Sequence, residues 1–235
     1  WALIVPFSLI LIFNFIFSAF LKVSYEEISF VAYISAAMFP WTFFQLTVGN
    51  STTCIVDSGS LIKKVYFPRE IIPVSIVLAN LFNFLFSLLI LIFFLRFLNI
   101  HWSWRLIVLP LIISLQFLLS LGIALLVSAL HVEFRDMKYI VEIALTLLFY
   151  LVPVFYSFSI LEQYSSGVTF LYLMNPMVGI VSFYRWALLP NYHSILPGGV
   201  SWRLLMGYTV SLCIAIFILG LRVLRRRQMT FADWV

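Results

Sequence analysis

The densest cluster of groups able to do chemistry is Asp57-Ser58-Gly59-Ser60-Leu61-Ile62-Lys63-Lys64-Val65-Tyr66-Phe67-Pro68-Arg69-Glu70. Ser58-Gly59-Ser60 supplies a turn and a helix start, Leu61, Ile62, Val65 and Tyr66 share one helical face, and Pro68 stops the helix. The pattern predicts a short amphipathic helix lying across a membrane face. Two readings of it stay open: basic residues held by lipid phosphates, or a docking surface for a partner protein. A second cluster, His131-Val132-Glu133-Phe134-Arg135-Asp136-Met137-Lys138, mixes both charge signs. Lipid attraction alone would favour basic residues, so this cluster suits a protein partner, an ion pair within the chain, or a solvated connector.

Neither cluster is catalytic. An integral membrane enzyme would gather carboxylates or histidines at one face, whereas Asp and Glu are dispersed among loops here. No Gly-x-x-x-x-Gly-Lys-[Ser/Thr] occurs in the chain, so the loop that would cradle ATP phosphates is missing. If transport is driven by ATP, a separate subunit must bind ATP and Mg. His101, His131 and His193 are too scattered for a metal site and are expected in solvated loops, and no cofactor is expected in the chain itself. Cys54 and Cys213 lack metal-ligand spacing and read as small hydrophobes.

These clusters must be held by something apolar. The sequence of 235 residues is 64% hydrophobic and 10% charged, against about 25% charged in soluble domains, which excludes a water-soluble fold. Six stretches carry no charged residue or histidine: Trp1 to Leu21, Ile28 to Val56, Ile71 to Leu95, Leu106 to Leu130, Ile143 to Leu161 and Leu204 to Leu221. Each is long enough to cross a bilayer as a helix, and none alternates as a barrel strand would. The reading is therefore all-α: one polytopic membrane domain with six transmembrane helices, leaving no room for a soluble catalytic domain. Gln163 to Tyr184 is also uncharged, but Tyr164-Ser165-Ser166-Gly167 and Asn175-Pro176 interrupt it. Two short helices entering the membrane and returning, over about 162–190, fit it better than one crossing. The chain opens at Trp1, inside its first apolar run and without the form of a cleaved signal peptide, so a segment ahead of it is expected.

Six alternating spans place Lys63, Lys64, Arg69, Arg135, Lys138, Arg222, Arg225, Arg226 and Arg227 on one side. Lys22, Arg96, Arg105, Arg185 and Arg203 fall on the other. Nine of the 14 basic residues against five put the first group, and both termini, in the cytoplasm. Sidedness explains the net charge of +5 better than nucleic acid does, and no nucleic-acid partner is expected. Arg225-Arg226-Arg227 is expected to bind anionic lipid at the end of the last helix, with contact to an ATPase as the other reading. Glu142, at the entrance to a span, is expected to snorkel.

Five runs resemble, in order, the membrane subunit of bacterial ABC exporters of cell-surface polysaccharide. They are Phe39-Pro40-Trp41-Thr42-Phe43-Phe44, Leu61 to Pro73, Phe134-Arg135-Asp136, Pro153-Val154-Phe155-Tyr156-Ser157, and Asn175-Pro176-Met177 with Tyr184-Arg185. The likeness is to the Wzm-type O-antigen exporter permease, with the teichoic acid exporter permease as a near cousin. That family carries an amphipathic cytoplasmic helix before its first span, which this sequence does not show.

The resemblance implies a homodimer of six-helix subunits in the bacterial inner membrane, bound to two copies of an ATP-binding cassette subunit and moving a lipid-linked polysaccharide. It makes Ser58, Gly59, Leu61, Ile62, Lys63, Lys64, Tyr66, Phe67, Pro68, Arg69 and Glu70 the main coupling loop, and Arg135 with Asp136 the second. Leu161 to Arg185 would match re-entrant helices near the outer mouth. Sugar C–H faces stack on aromatic rings, so Tyr33, Phe39, Trp41, Phe43, Phe44, Phe155 and Tyr156 are candidates to line a glycan path, with lipid or core packing as the alternative for each. Asn175, Pro176 and Arg185 are candidates for the outer gate or for the lipid carrier. Arg185 could clamp a pyrophosphate or pair with Glu162 or lipid headgroups. A drug or small-lipid exporter, a membrane enzyme acting on lipid or glycan, and a passive channel are the rival functions.

Overall fold

The computed structural model describes residues 8, 11, 12, 15, 29–64, 68–156, 172, 174–190, 192 and 201–228, apart from the side chains of Ile62, Lys63 and Lys64. The first expected span lies outside these residues except for four isolated positions. In chain order the helices are α1 (Phe30–Asp57), α2 (Gly59–Lys64), α3 (Ile71–Phe97), α4 (Leu109–Glu133), α5 (Met137–Leu151), α6 (Pro176–Leu188) and α7 (Trp202–Arg227), with a 3-10 turn at Trp104–Val108 before α4. No strand occurs among the described residues. Among the described residues four helices are long and apolar enough to cross a membrane: α1, α3, the turn with α4 (Trp104–Glu133), and α7.

The fifth expected span needs correction. Its helix runs from Met137 to Leu151 rather than from Ile143 to Leu161, and its 15 residues reach about 22 Å at 1.5 Å per residue, short of the roughly 30 Å hydrocarbon core. It starts early because Met137 and Lys138 extend the helix into the charged loop. It stops early because Pro153 lacks an amide hydrogen and disfavours helix in the residue before it. The first helix of the expected re-entrant pair lies outside the described residues, whereas the second is α6. Asn175 caps α6, its side-chain oxygen accepting from Met177 N at 3.0 Å, and Pro176 takes the first helical position.

The described residues form two compact units. One contains residues 30–42, 83–113, 149–156, 174–190 and 201–209, among others. In it α6 is enclosed along nearly its whole length and approaches α7 at Gly179, where a Cβ would lie 2.2 Å from Thr209 Oγ1. Arg105 closes the end of α6, donating to the carbonyls of Trp186 at 3.4 Å and Pro190 at 3.1 Å and lying over the Trp186 ring. Such a cation satisfies carbonyls that a helix end leaves unpaired. Asn99, with φ 61°, ends α3 in the left-handed region: Ile100 N and Asn99 N return to the carbonyls of Leu95 and Arg96.

The other unit holds residues 43–64, 68–82, 114–148 and 210–228, among others. Its core joins Cys54 and Ile55 of α1, Ile72 and Val77 of α3, Leu121, Ala124, Leu125, Ala129 and Val132 of α4, and Leu224 of α7. Lipid is as apolar as leucine, so close van der Waals packing, not water exclusion, holds such helices together. The closest approach is glycine on glycine: a Cβ on Gly220 would lie 2.1 Å from the Gly122 carbonyl oxygen, and one on Gly122 would lie 2.6 Å from Phe217 Cα. Those obstacles are backbone and cannot swing aside. Gly220→Leu should therefore destabilise the protein by at least the roughly 1–3 kcal/mol typical of overpacking, read as a lowered unfolding midpoint in detergent. Gly207→Leu, where an added Cβ meets nothing within 4 Å, should leave the midpoint unchanged.

Candidate functional site

The loop after α1 contains a short helix over the part described. α1 ends at Asp57, whose carboxylate accepts from Thr53 Oγ1 at 2.6 Å. Ser58 turns the chain, and α2 follows from Gly59 with Leu61 exposed. Val65, Tyr66 and Phe67 lie outside the described residues. Pro68 is exposed, and Arg69 and Glu70 lead into α3, where Ile71 N bonds to the Pro68 carbonyl. In the second loop Arg135 and Asp136 are exposed between α4 and α5, and the Asp136 carbonyl accepts from Tyr139 N and Ile140 N.

The sequence did not reveal what these loops hold. Glu70 accepts from Arg225 Nε at 2.8 Å. Glu133 forms an ion pair with Arg227, and Arg69 donates to the backbone carbonyl of Gln228. So two of the three tail arginines expected on lipid are engaged by carboxylates of the chain, while Arg222 and Arg226 stay exposed. In the second cluster Glu133 thus takes part in an ion pair within the chain. His131 also departs from expectation: it is buried in the last turn of α4, not solvated in a loop. His193 lies outside the described residues.

Arg185 is fully buried. It therefore meets neither headgroups nor solvent, and Glu162 lies outside the described residues. Its guanidinium carbon sits 3.6 Å from the Tyr33 ring centroid, Nε donates to the Tyr33 carbonyl at 3.3 Å, and Nη2 donates to the Val154 carbonyl at 2.6 Å. Tyrosines continue the network: Tyr33 donates to the Tyr156 carbonyl at 2.9 Å, Tyr156 to the Tyr150 carbonyl at 3.0 Å, and Tyr172 to the Tyr156 hydroxyl at 2.8 Å. A cation held by carbonyls and a ring face is desolvated yet partnered. Its geometry fixes the start of α1, the Val154 segment and α6 to one another.

The aromatic candidates sit elsewhere than on an open path. Tyr33, Phe39, Trp41, Phe43 and Phe44 are each at most 3% exposed, enclosed by the subunit itself. Trp41 packs on Phe149, and Phe149 on Phe155. Phe155 and Tyr156 are half-buried. What α1 leaves exposed is a different set: Gln45, Leu46, Gly49, Asn50 and Asp57, with Thr42, Thr53 and Val56 half-buried on the same arc. At Gly49 an added Cβ would meet nothing within 4 Å. This stripe went unread because its residues within the span, from Thr42 to Val56, are uncharged. The signal was there in Thr42, Gln45, Asn50 and Thr53, spaced three to five residues apart, close to the helical repeat.

The polar stripe belongs to the most enclosed of the four spanning helices: 78% of the apolar window of α1 is buried, against 28% for α3 and 22% for α7. The outward residues of α3 are mostly apolar, Phe82, Phe86, Leu89 and Phe93 among them, with Ser75, Asn83 and Arg96 also exposed. Hydrocarbon offers such side chains a compatible neighbour and offers amides none. The arc of α1 is thus built to face water, another polar molecule or protein.

Comparison with known proteins agrees with this architecture. Residues 1–189 match the family described as ABC-2 type transporter. The chain is 29% identical over 186 residues to the O-antigen export system permease protein RfbA of Myxococcus xanthus, covering 79% of this chain and 70% of that protein. A Klebsiella pneumoniae protein of the same name is 27% identical over 190 residues, again with 79% and 70% covered. The polysialic acid transport protein KpsM of Escherichia coli is 26% identical over 243 residues, with 97% and 85% covered. A polytopic helical chain with polar loops at its helix ends is what such a match requires, and this chain belongs to the ABC-2 type transporter family.

Proposed function

We propose that this chain is the channel-forming membrane subunit of an ATP-driven exporter that moves a lipid-linked, O-antigen-type polysaccharide across the bacterial cytoplasmic membrane. It works as a homodimer beside two copies of an ATP-binding cassette subunit, which bind the ATP and Mg. The basic loops and both termini face the cytoplasm, following the excess of Lys and Arg there. The names of the relatives support the substrate class. The observation that carries the reading is the polar arc of α1: amides at Gln45 and Asn50 exchange hydrogen bonds with sugar hydroxyls as readily as with water, so a hydrated chain slides past without being trapped.

Force enters at α2. Closure of the ATPase pair pushes on Ser58 to Glu70, with Arg135 and Asp136 as a second contact, and tilts the helices joined to that loop. Arg185, Asn175 and Pro176 hold the outer gate by fixing α6, rather than by clamping the lipid carrier.

A photo-cross-linker placed at position 45 or 50 of the exporting complex should capture glycan of many lengths, and one at Phe86 only lipid. Capture of a single short lipid at both sites would replace this reading by a small-lipid or drug exporter. Replacing Gln45 and Asn50 together by Leu removes two hydrogen-bonding groups at about 1 kcal/mol each and should slow export about tenfold or more, measured as surface glycan per unit of inserted permease. Arg185→Lys keeps the charge but loses the fork, and each carbonyl left unpaired should cost about 1–3 kcal/mol. The expected result is a lowered unfolding midpoint, matched by Arg185→Ala and not by Arg203→Lys.

A further inference from the structure

The contacts at the end of α7 are more than a surface decoration. Arg225 reaches Glu70 at the start of α3, Arg227 reaches Glu133 at the end of α4, and the Gln228 carbonyl receives Arg69. The partners stand 155, 94 and 159 residues apart in sequence. One helix end therefore gathers the exit of the first charged loop and the entry to the second, all within one compact unit.

Isolated exposed ion pairs contribute little to stability, and the side chains of the Arg225–Glu70 pair are 60% and 27% exposed. Stability alone is a weak reason for three such contacts to converge. Mechanics is a stronger one. A lever docked at α2 acts directly on α1 and α3, to which its loop is joined, while α4 and α7 have no covalent share in the movement. A contact that persists through the stroke gives them one, and a solvent-exposed pair can also yield and re-form as the angle between helices changes.

We propose that the basic end of α7 is a transmission element of the transport cycle. Arg225 and Arg227 are positioning residues that tie α7 to both loops, so that a push on α2 moves the adjoining ends of α3, α4 and α7 as one body. The proposal rests on the exporter reading above and deepens it: Arg69 and Glu70, at the end of the loop on which the ATPase pushes, also pass its force onward inside the permease. It also separates the tail from lipid binding, because an arginine serving only anionic headgroups has no need of a particular carboxylate.

The test uses the permease with its ATPase partner in vesicles, comparing Glu70→Arg, Arg225→Glu and the swap carrying both. ATP hydrolysis, glycan export and thermal unfolding are read on each. Both single variants should insert and unfold like the parent, with glycan exported per ATP falling about fivefold or more, and Arg225→Glu, outside the coupling loop, should still hydrolyse ATP. The swap, which restores the pair with its signs exchanged, should recover most of that ratio. Unchanged coupling in the single variants overturns the proposal. So does a swap that exports no better than Arg225→Glu, the outcome a lipid-binding role requires. Parallel losses of unfolding midpoint and hydrolysis would show a merely structural pair and overturn it as well. A parent complex that hydrolyses ATP without moving glycan would instead overturn the exporter reading, and this proposal with it.

Discussion

Hydrocarbon supplies no hydrogen bonds, and the rest of this structure follows from how each polar group is satisfied without them. Helices satisfy the backbone within themselves. Hydroxyls along the buried helices return to carbonyls one turn back: Thr42 to Met38, Thr52 to Val48, Ser182 to Val178 and Thr209 to Leu205, all at 2.7–2.8 Å. Through these bonds α1 carries many polar residues and a proline, Pro40, inside a membrane span. The carbonyl freed opposite Pro40 is tolerated because that part of the helix is enclosed by protein rather than by lipid.

The same constraint sorts the surface. The exposed residues of α3 and α7 are mostly apolar, Phe82, Phe86 and Leu219 among them, while the exposed arc of α1 is largely polar. Close contact between helices follows as well. With no water to expel, attraction comes from short-range packing, and the glycines at 122 and 220 allow backbone to approach backbone.

The elements with a one-dimensional signature were legible in the sequence. Ile71 to Leu95 was predicted and Ile71–Phe97 found, Ile28 to Val56 predicted and Phe30–Asp57 found, because uncharged length is a property of consecutive residues. The early end of α5 was not, although Pro153 marked it, because hydropathy continues past the proline while the helix does not. The aromatic residues were read by type, but whether Trp41 faces a path or a core depends on partners such as Phe149, far along the chain. The contacts of Arg69, Glu70 and Glu133 with the tail were likewise invisible, since pairing over such separations is decided by the fold and not by local pattern. Burial of Arg185 runs against ordinary expectation for its residue type, and only the carbonyls of Tyr33 and Val154 make it affordable.

One residue type thus does two opposite things here, and the surroundings decide which. Arg185 lies where water is absent, so breaking its bonds would strand a cation and two carbonyls in a medium that solvates neither. A joint of that kind is fixed, and it sits where α6, α1 and the segment at Val154 must keep their arrangement. Arg225 lies where water competes for its bond and Arg227 is half-buried, so separating them from Glu70 and Glu133 costs less, and re-forming them is quicker, than at Arg185. A joint of that kind suits helix ends that change angle. Had the buried arginine been paired in solvent, the packing of α6 would be loose. Had the tail pairs been buried, the loops they hold would be locked.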